Sequence, residues 1–205
     1  MVHCRRRAFE YPDILRKPTD YILQRFHAGG APLRRLWYAF ALSAVLFLPV
    51  PVLAHQVIGA GAPWYLVVAT TVGVLASLVQ IFGLIRWSFL VPTLADIYID
   101  PAASPAMRDS AAVTFQAFHR YAGVAIGEHL GYLFTSIWTL LLSFAIIETG
   151  VVNPLFGWLG IVPALGVFMG VFEETGFKAA GAINAISYIL WSLWLIALGV
   201  ALLLA

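Results

Sequence analysis

Several ionisable or polar side chains lie inside long apolar stretches or at their ends. They are Arg86, Glu128, His129, Glu174 and Asn184. A charge within a lipid-spanning helix costs about 2.5–3.5 kcal/mol on insertion scales, so such residues usually pair with one another or face a wet cavity. We therefore expect Arg86 to pair with Glu128 and all five residues to share a polar cleft. An ion pair that only locks two helices together is the simpler interpretation.

Glycines recur at every fourth position in two of the same stretches. They are Gly123, Gly127 and Gly131 in one stretch, and Gly166 and Gly170 in another. This spacing lets two helix backbones approach closely inside a membrane. We therefore expect these five glycines to pack helices together.

One short motif suggests enzymatic chemistry. Glu173, Glu174 and Lys178 read E-E-x-x-x-K, which resembles the E-E-x-x-x-R signature of the prenyl-protein-type intramembrane metalloproteases. Those proteases also use histidines on later helices to hold a metal, whereas the last histidine here, His129, precedes the glutamates. Lysine also replaces the arginine of the signature. An intramembrane enzyme is therefore the third of our hypotheses.

The histidines and the cysteine do not form a recognisable metal or haem site. His119 and His129 are ten residues apart, which does not place them on one helix face, and His55 belongs to another stretch. The single cysteine, Cys4, excludes an internal disulfide and a cysteine-cluster metal site. We expect no catalytic residue, no metal and no cofactor.

The elements that position these residues are membrane helices. Hydrophobic residues make up 61% of the 205 residues and charged residues 11%, against roughly 45–50% and 25% in soluble domains. A bilayer helix needs about 20 mainly apolar residues, and only helices or closed barrels satisfy the backbone in lipid. The sequence therefore predicts an all-α bundle of about five spans, at residues 36–54, 64–85, 121–147, 154–172 and 181–205.

The basic residues predict the orientation of this bundle. Eight of the twelve precede the first span, and the loops at residues 55–63 and 148–153 contain none. By the positive-inside rule, the N-terminus is cytoplasmic and the C-terminus is outside. We expect a basic cytoplasmic segment at residues 1–33, with a short interfacial helix that ends near Gly29 and Gly30, and a transmembrane domain at 34–205 with a cytoplasmic loop at 99–120. Within that loop, Ser104 and Pro105 predict a helix start.

Three motifs resemble a known family. They are GLIRWSFLVP at residues 83–92, FHRYAGVAIGEHLGY at 118–132 and NAISYILWSLW at 184–194. They are similar to a bacterial family of multi-span membrane proteins that is described as a domain of unknown function, of the 4386 type. The resemblance covers most of the chain from about residue 36 and implies a membrane topology and a bacterial origin, with no activity to carry over.

Our leading hypothesis is a non-enzymatic, multi-pass protein of the bacterial inner membrane. Its cytoplasm-facing polar cleft would bind or pass a small solute, a proton or a lipid headgroup. Arg86 would hold an anionic group or pair with Glu128, and His129 would respond to pH. The alternative is a structural or partner-binding subunit packed through its glycines. We expect contacts with the lipid bilayer, with anionic lipid at the N-terminal segment and with a small-molecule ligand, but none with nucleic acid; a homo-oligomer stays open.

Overall fold

The computed structural model describes residue 10, residues 13–59 and residues 61–204. This part of the chain is helical and has no strand. A 3₁₀ turn at Asp13–Arg16 precedes the first helix, a π-helix spans His119–Leu130 and a 3₁₀ segment spans Met169–Thr175. The α-helices are α1 (Thr19–Phe47), α2 (Val50–Ile58), α3 (Tyr65–Phe89), α4 (Val91–Ile99), α5 (Pro105–Phe118), α6 (Gly131–Thr149), α7 (Leu155–Phe168) and α8 (Ala180–Leu204).

Five of the described helical stretches are long and apolar enough to cross a membrane. They are Thr19–Ile58, Tyr65–Ile99, Pro105–Thr149, Leu155–Thr175 and Ala180–Leu204. The predicted all-α bundle of five spans is therefore confirmed. The helix at Pro105–Thr149 has 45 residues, or roughly 65 Å at 1.5 Å per residue, which is about twice the thickness of a hydrocarbon core.

The excess length forms a second core at one end of the bundle, which we call the basic end. There the start of α1 packs on the end of α3, on α4 and on α5. The indole of Trp87 is at its centre, stacked on Trp37 with ring centroids 4.6 Å apart and tilted against Phe26 at 5.7 Å. The other core, around Trp138 and Trp191, fills the middle and the opposite end of the bundle.

The start of α1 differs from the short interfacial helix that we predicted. Ile22 and Phe26, which an interfacial helix would place against the inner leaflet, are buried in the core of the basic end. The expected helix end near Gly30 is a kink, because Gly30 has a φ of 57° and helical structure resumes after it. Pro32 lies in the first turn after this kink, where its missing N–H is tolerated.

The predicted helix start after residue 99 is confirmed. Ser104 caps α5 by accepting a hydrogen bond from the backbone N–H of Met107 at 3.3 Å, and Pro105 is the first helical residue. From there α5, the π-helix and α6 follow one another without a loop. Residues at the basic end and residues in the middle of the bundle are thus connected by one long helical rod.

The five glycines of the two spaced sets lie at contacts inside the chain. A Cβ at Gly127 would stand 2.7 Å from the Cα of Gly83, so α3 and the π-helix touch backbone to backbone. The guanidinium of Arg86 lies against Gly123. The remaining three face side chains of neighbouring helices: Gly131 faces Gln80, Gly166 faces Ser187, and Gly170 faces Asn184 and Tyr132. Each of these five glycines therefore lies against another part of the same chain.

Candidate functional site

Two acidic residues at the basic end meet around Arg16, which comes from the first turn of the described chain. Its guanidinium donates to Glu128 Oε2 at 2.6 Å and, through Nε, to Glu173 Oε1 at 3.0 Å. Glu128 lies near the end of the π-helix, whereas Glu173 lies in the 3₁₀ segment that follows α7. One cation thus joins two different membrane helices and the N-terminal segment.

These residues line a small cleft, which we call the Arg16 cleft. Its walls are Arg16, Val124, Glu128, His129, Tyr132, Gly170, Glu173 and Glu174. With Arg16 in place, the cavity volume is ≈ 10 Å³. A single water molecule needs about that much space, so the guanidinium nearly fills the cleft.

The electrostatics of the cleft favour a cation. Burial opposes the charged form of Arg16, but the hydrogen bonds and charges of Glu128 and Glu173 outweigh it and raise the pKa of Arg16 above its ordinary value. A second ion pair lies at the rim, where Arg120 contacts Glu174 at 2.9 Å. The cleft therefore holds a guanidinium in its charged form by charge-assisted hydrogen bonds.

Two irregular helical segments bring the carboxylates together. The π-helix, which is wider than an α-helix, carries Glu128 on the rod between α5 and α6. The 3₁₀ segment that carries Glu173 ends at Gly176, whose φ is 91°. Segments of both kinds are short in most proteins and are frequent at functional sites and hinges. The cleft lies where both occur together.

The structure gives Glu128 a different partner from the one that we expected. The predicted ion pair of Arg86 with Glu128 is replaced by the pair of Arg16 with Glu128. Arg86 is buried between α3 and the π-helix, where its guanidinium donates to the carbonyl of Gly83 and lies 5.2 Å from the ring centroid of Trp87. It is directed at Gly123, one turn of the π-helix before Glu128, because that glycine leaves room for it.

The other predicted residues divide between the cleft and its support. His129 and Glu174 line the cleft together with Glu128. Asn184 is buried behind it on α8 and donates from Nδ2 to the carbonyl of Val167 at 2.9 Å. Because its amide also lies against Gly170, it fixes the start of the 3₁₀ segment that carries Glu173.

Sequence reasoning missed three contributors to this region. Arg16 is one of many basic residues in the N-terminal segment, and its sequence separation of 112 residues from Glu128 leaves no local signal. Tyr132 lies one α-helical turn after Glu128, a spacing that does place the two on one face. His119 lies next to the cleft, where Nε2 contacts the carbonyl of Leu15 at 2.8 Å and Nδ1 contacts Arg86 at 3.4 Å.

Comparison with known proteins assigns a family. Residues 8–199 match the family model described as a domain of unknown function, DUF4386. The chain belongs to the DUF4386 family. No curated protein and no solved structure matches it. Membership in DUF4386 confirms the resemblance seen in the three sequence motifs and agrees with a multi-pass membrane protein.

The Arg16 cleft of this DUF4386 chain holds a guanidinium of the same chain by ion pairs. Two carboxylates on separate helices can each accept a hydrogen bond from one planar or tetrahedral cation, as they do from Arg16. Among the described residues, no three His, Cys, Asp or Glu side chains group closely enough to hold a metal ion. The cation that lies between Glu128 and Glu173 in this structure is the guanidinium of Arg16.

Proposed function

We propose that this membrane protein binds a small organic cation, a guanidinium or a primary ammonium group, in the Arg16 cleft. The group belongs to a small solute or to a lipid headgroup. A single observation carries the proposal: the guanidinium of Arg16 is held there by carboxylates from two different membrane helices, at 2.6 Å from Glu128 and 2.9 Å from Glu173.

The energetics of partly buried carboxylates support this proposal. The side chains of Glu128 and Glu173 are only 17% and 27% exposed. Removing one partner from a desolvated ion pair leaves an uncompensated charge, which is strongly destabilising. Two carboxylates that lose Arg16 therefore regain stability from any cation of similar size and hydrogen-bonding capacity.

The protein would lie in the bacterial cytoplasmic membrane with its N-terminus inside. This part of the proposal is supported by the concentration of Lys and Arg before the first span and in the loops at the same end. The Arg16 cleft belongs to the basic end and would then open to the cytoplasm. Exposed basic residues of the segment at residues 1–33, such as Lys17, would then face the anionic lipids of the inner leaflet.

Methylguanidinium is the probe that tests cation binding. The purified Arg16→Gln variant, in which the guanidinium no longer fills the cleft, is titrated with methylguanidinium in lipid nanodiscs, and binding is measured by calorimetry. We expect Arg16→Gln to bind methylguanidinium and the double variant Arg16→Gln/Glu128→Gln to bind it at least tenfold more weakly, because one charge-assisted hydrogen bond contributes about 1.5–3 kcal/mol.

The matched control places the same Glu→Gln change at the other end of the bundle. Glu148 accepts a hydrogen bond from the hydroxyl of Tyr65 at 2.7 Å, far from the Arg16 cleft. Arg16→Gln/Glu148→Gln should bind methylguanidinium as Arg16→Gln does. Equal affinity of the Glu128 and Glu148 double variants would show that the cation does not bind between Glu128 and Glu173.

A further inference from the structure

We infer that the turn Asp13–Arg16 is a displaceable plug, which closes the Arg16 cleft until a cation competes with Arg16 for it. This inference rests on the proposed function and adds a means of regulation to it. The plug belongs to the same chain as the cleft, so the closed state requires no partner.

Three consecutive residues hold the plug, each by a different interaction. Ile14 is fully buried in the core of the basic end. The carbonyl of Leu15 accepts a hydrogen bond from Nε2 of His119 at 2.8 Å. Arg16 fills the cleft between Glu128 and Glu173. A solvated tail would not combine a buried side chain, a partly buried hydrogen bond and a double ion pair in three successive positions.

The plug has little stability of its own. Backbone hydrogen bonds of this turn run from Ile14 N–H to the carbonyl of Glu10 at 2.8 Å and from Lys17 N–H to the carbonyl of Ile14 at 3.1 Å. A single helical turn does not persist without tertiary contacts, because the entropy of fixing the backbone exceeds the gain from one or two hydrogen bonds. The three anchors therefore decide whether the turn stays docked.

Arg16 is the anchor that a ligand can replace. Its side chain is 39% exposed, so a cation from solution can approach the carboxylates from the same side. A ligand that takes the place of its guanidinium breaks the ion pairs to Glu128 and Glu173 and leaves only the anchors of Ile14 and Leu15. Displacement of the turn and binding of the ligand are thus coupled.

His119 acts as the latch for this plug without touching the cleft. A carbonyl only accepts hydrogen bonds, so Nε2 carries the proton and Nδ1 presents its lone pair to Arg86 at 3.4 Å. The imidazole is also stacked on Phe115, with ring centroids 5.3 Å apart and the planes at 12°. His119→Phe keeps an aromatic ring in this stack and removes the hydrogen bond to Leu15.

The apparent affinity of the cleft is proportional to the fraction of time for which the plug is undocked. When only a fraction of the molecules is open, the apparent dissociation constant is the intrinsic one divided by that fraction. Weakening any anchor raises the open fraction and tightens binding. Variants of His119 and Ile14 should therefore improve binding although neither residue contacts the ligand.

Trypsin cleavage after Arg16 reports the position of the plug. Full-length protein in nanodiscs is treated briefly with trypsin and the cut sites are quantified by mass spectrometry. Methylguanidinium should raise cleavage after Arg16 at least tenfold and leave cleavage after Arg108 unchanged. Methylurea, a neutral molecule of similar shape, should change neither.

The variant His119→Phe tests the latch. In the absence of ligand, it should be cleaved after Arg16 faster than the wild type. In a titration, it should bind methylguanidinium about tenfold more tightly, an effect that one lost hydrogen bond can produce.

The outcomes separate the plug from the proposed function. Binding of methylguanidinium to the wild type without increased cleavage overturns the plug and leaves the cation site standing. If the Arg16→Gln variant binds methylguanidinium and the wild type does not, the turn seals the cleft permanently. That result also overturns a displaceable plug. Binding by neither protein overturns both proposals. Should His119→Phe fail to fold, Ile14→Ala serves as the second variant, and unchanged affinity and cleavage in it would contradict the plug.

Discussion

A missing side chain at Gly123 decides where the buried guanidinium of Arg86 lies. Arg86 is 7% exposed and fills the space that a Cβ at this position would need. Four residues later Gly127 faces Gly83 in the same way, backbone against backbone. At the scale of the residue, the contact between α3 and the π-helix therefore requires glycine, whose side chain is a single hydrogen atom, at positions 83, 123 and 127.

Gly123→Ala should destabilise the protein, because the added methyl group overlaps the guanidinium of a buried arginine. Overpacking of this kind costs typically about 1–3 kcal/mol. Gly199 lies within α8 and nothing stands within 4 Å of its Cβ position, so Gly199→Ala is the matched control. Thermal unfolding in detergent should show a lower midpoint for Gly123→Ala and an equal or higher midpoint for Gly199→Ala. Equal midpoints for both variants would contradict the contact.

At the scale of the element, the kink at Gly30 separates two parts of α1 that lie in different surroundings. The part before it carries Ile22 and Phe26 into the core of the basic end, and the part after it crosses the membrane. The kink requires the positive φ of 57° that glycine adopts without strain. A straight helix would carry the apolar face of the first part away from α4 and α5.

Gly30→Ala should weaken the docking of the first part of α1. Gly30 has a φ of 57° and a ψ of −153°, a conformation that is essentially restricted to glycine. Another residue held there costs about 1–3 kcal/mol, which corresponds to a drop of about 2–12 °C in the unfolding midpoint of a chain of this size. Gly61→Ala, in the loop between α2 and α3 with open space around it, is the control. Hydrogen exchange of the peptide that contains Ile22 and Phe26 should rise in Gly30→Ala alone. An unchanged exchange rate would show that the kink does not hold this core together.

At the scale of the whole molecule, one end of the bundle differs from the other in length, charge and polarity. Helices α1, α4 and α5 extend past the apolar spans at the basic end, where Arg16, Arg34 and Arg120 form ion pairs with acidic residues. Such an asymmetry is what the positive-inside rule uses to orient a bundle. The extended end would lie in the cytoplasm.

Reporter fusions test this orientation. Alkaline phosphatase folds to an active enzyme only outside the cytoplasm, so a fusion after Gly150, in the loop between α6 and α7, should be active. A fusion after Pro105, at the start of α5, should be inactive. Comparable expression of both fusion proteins, verified by immunoblot, is the necessary control. An active fusion after Pro105 would reverse the topology and place the Arg16 cleft outside.

The sequence by itself determined the class of fold and the membrane spans. Apolar runs such as residues 64–85 must satisfy their backbone in lipid as helices or closed barrels, and a continuous rather than alternating run of this length is typical of a helix, so no tertiary information was needed. Ser104 and Pro105 likewise determined a helix start through local hydrogen bonding alone. These features depend on neighbours in sequence and on the solvent.

Only the tertiary structure decided which charges meet. The sequence contains several arginines that could neutralise Glu128, and Arg16 is the one that pairs with it. Arg86 lies instead in the space at Gly123, whereas the buried Ile14 anchors the turn that carries Arg16. Electrostatic attraction stabilises any cation near the carboxylate of Glu128 and does not specify which one. Packing between segments that are far apart in the sequence selects the cation.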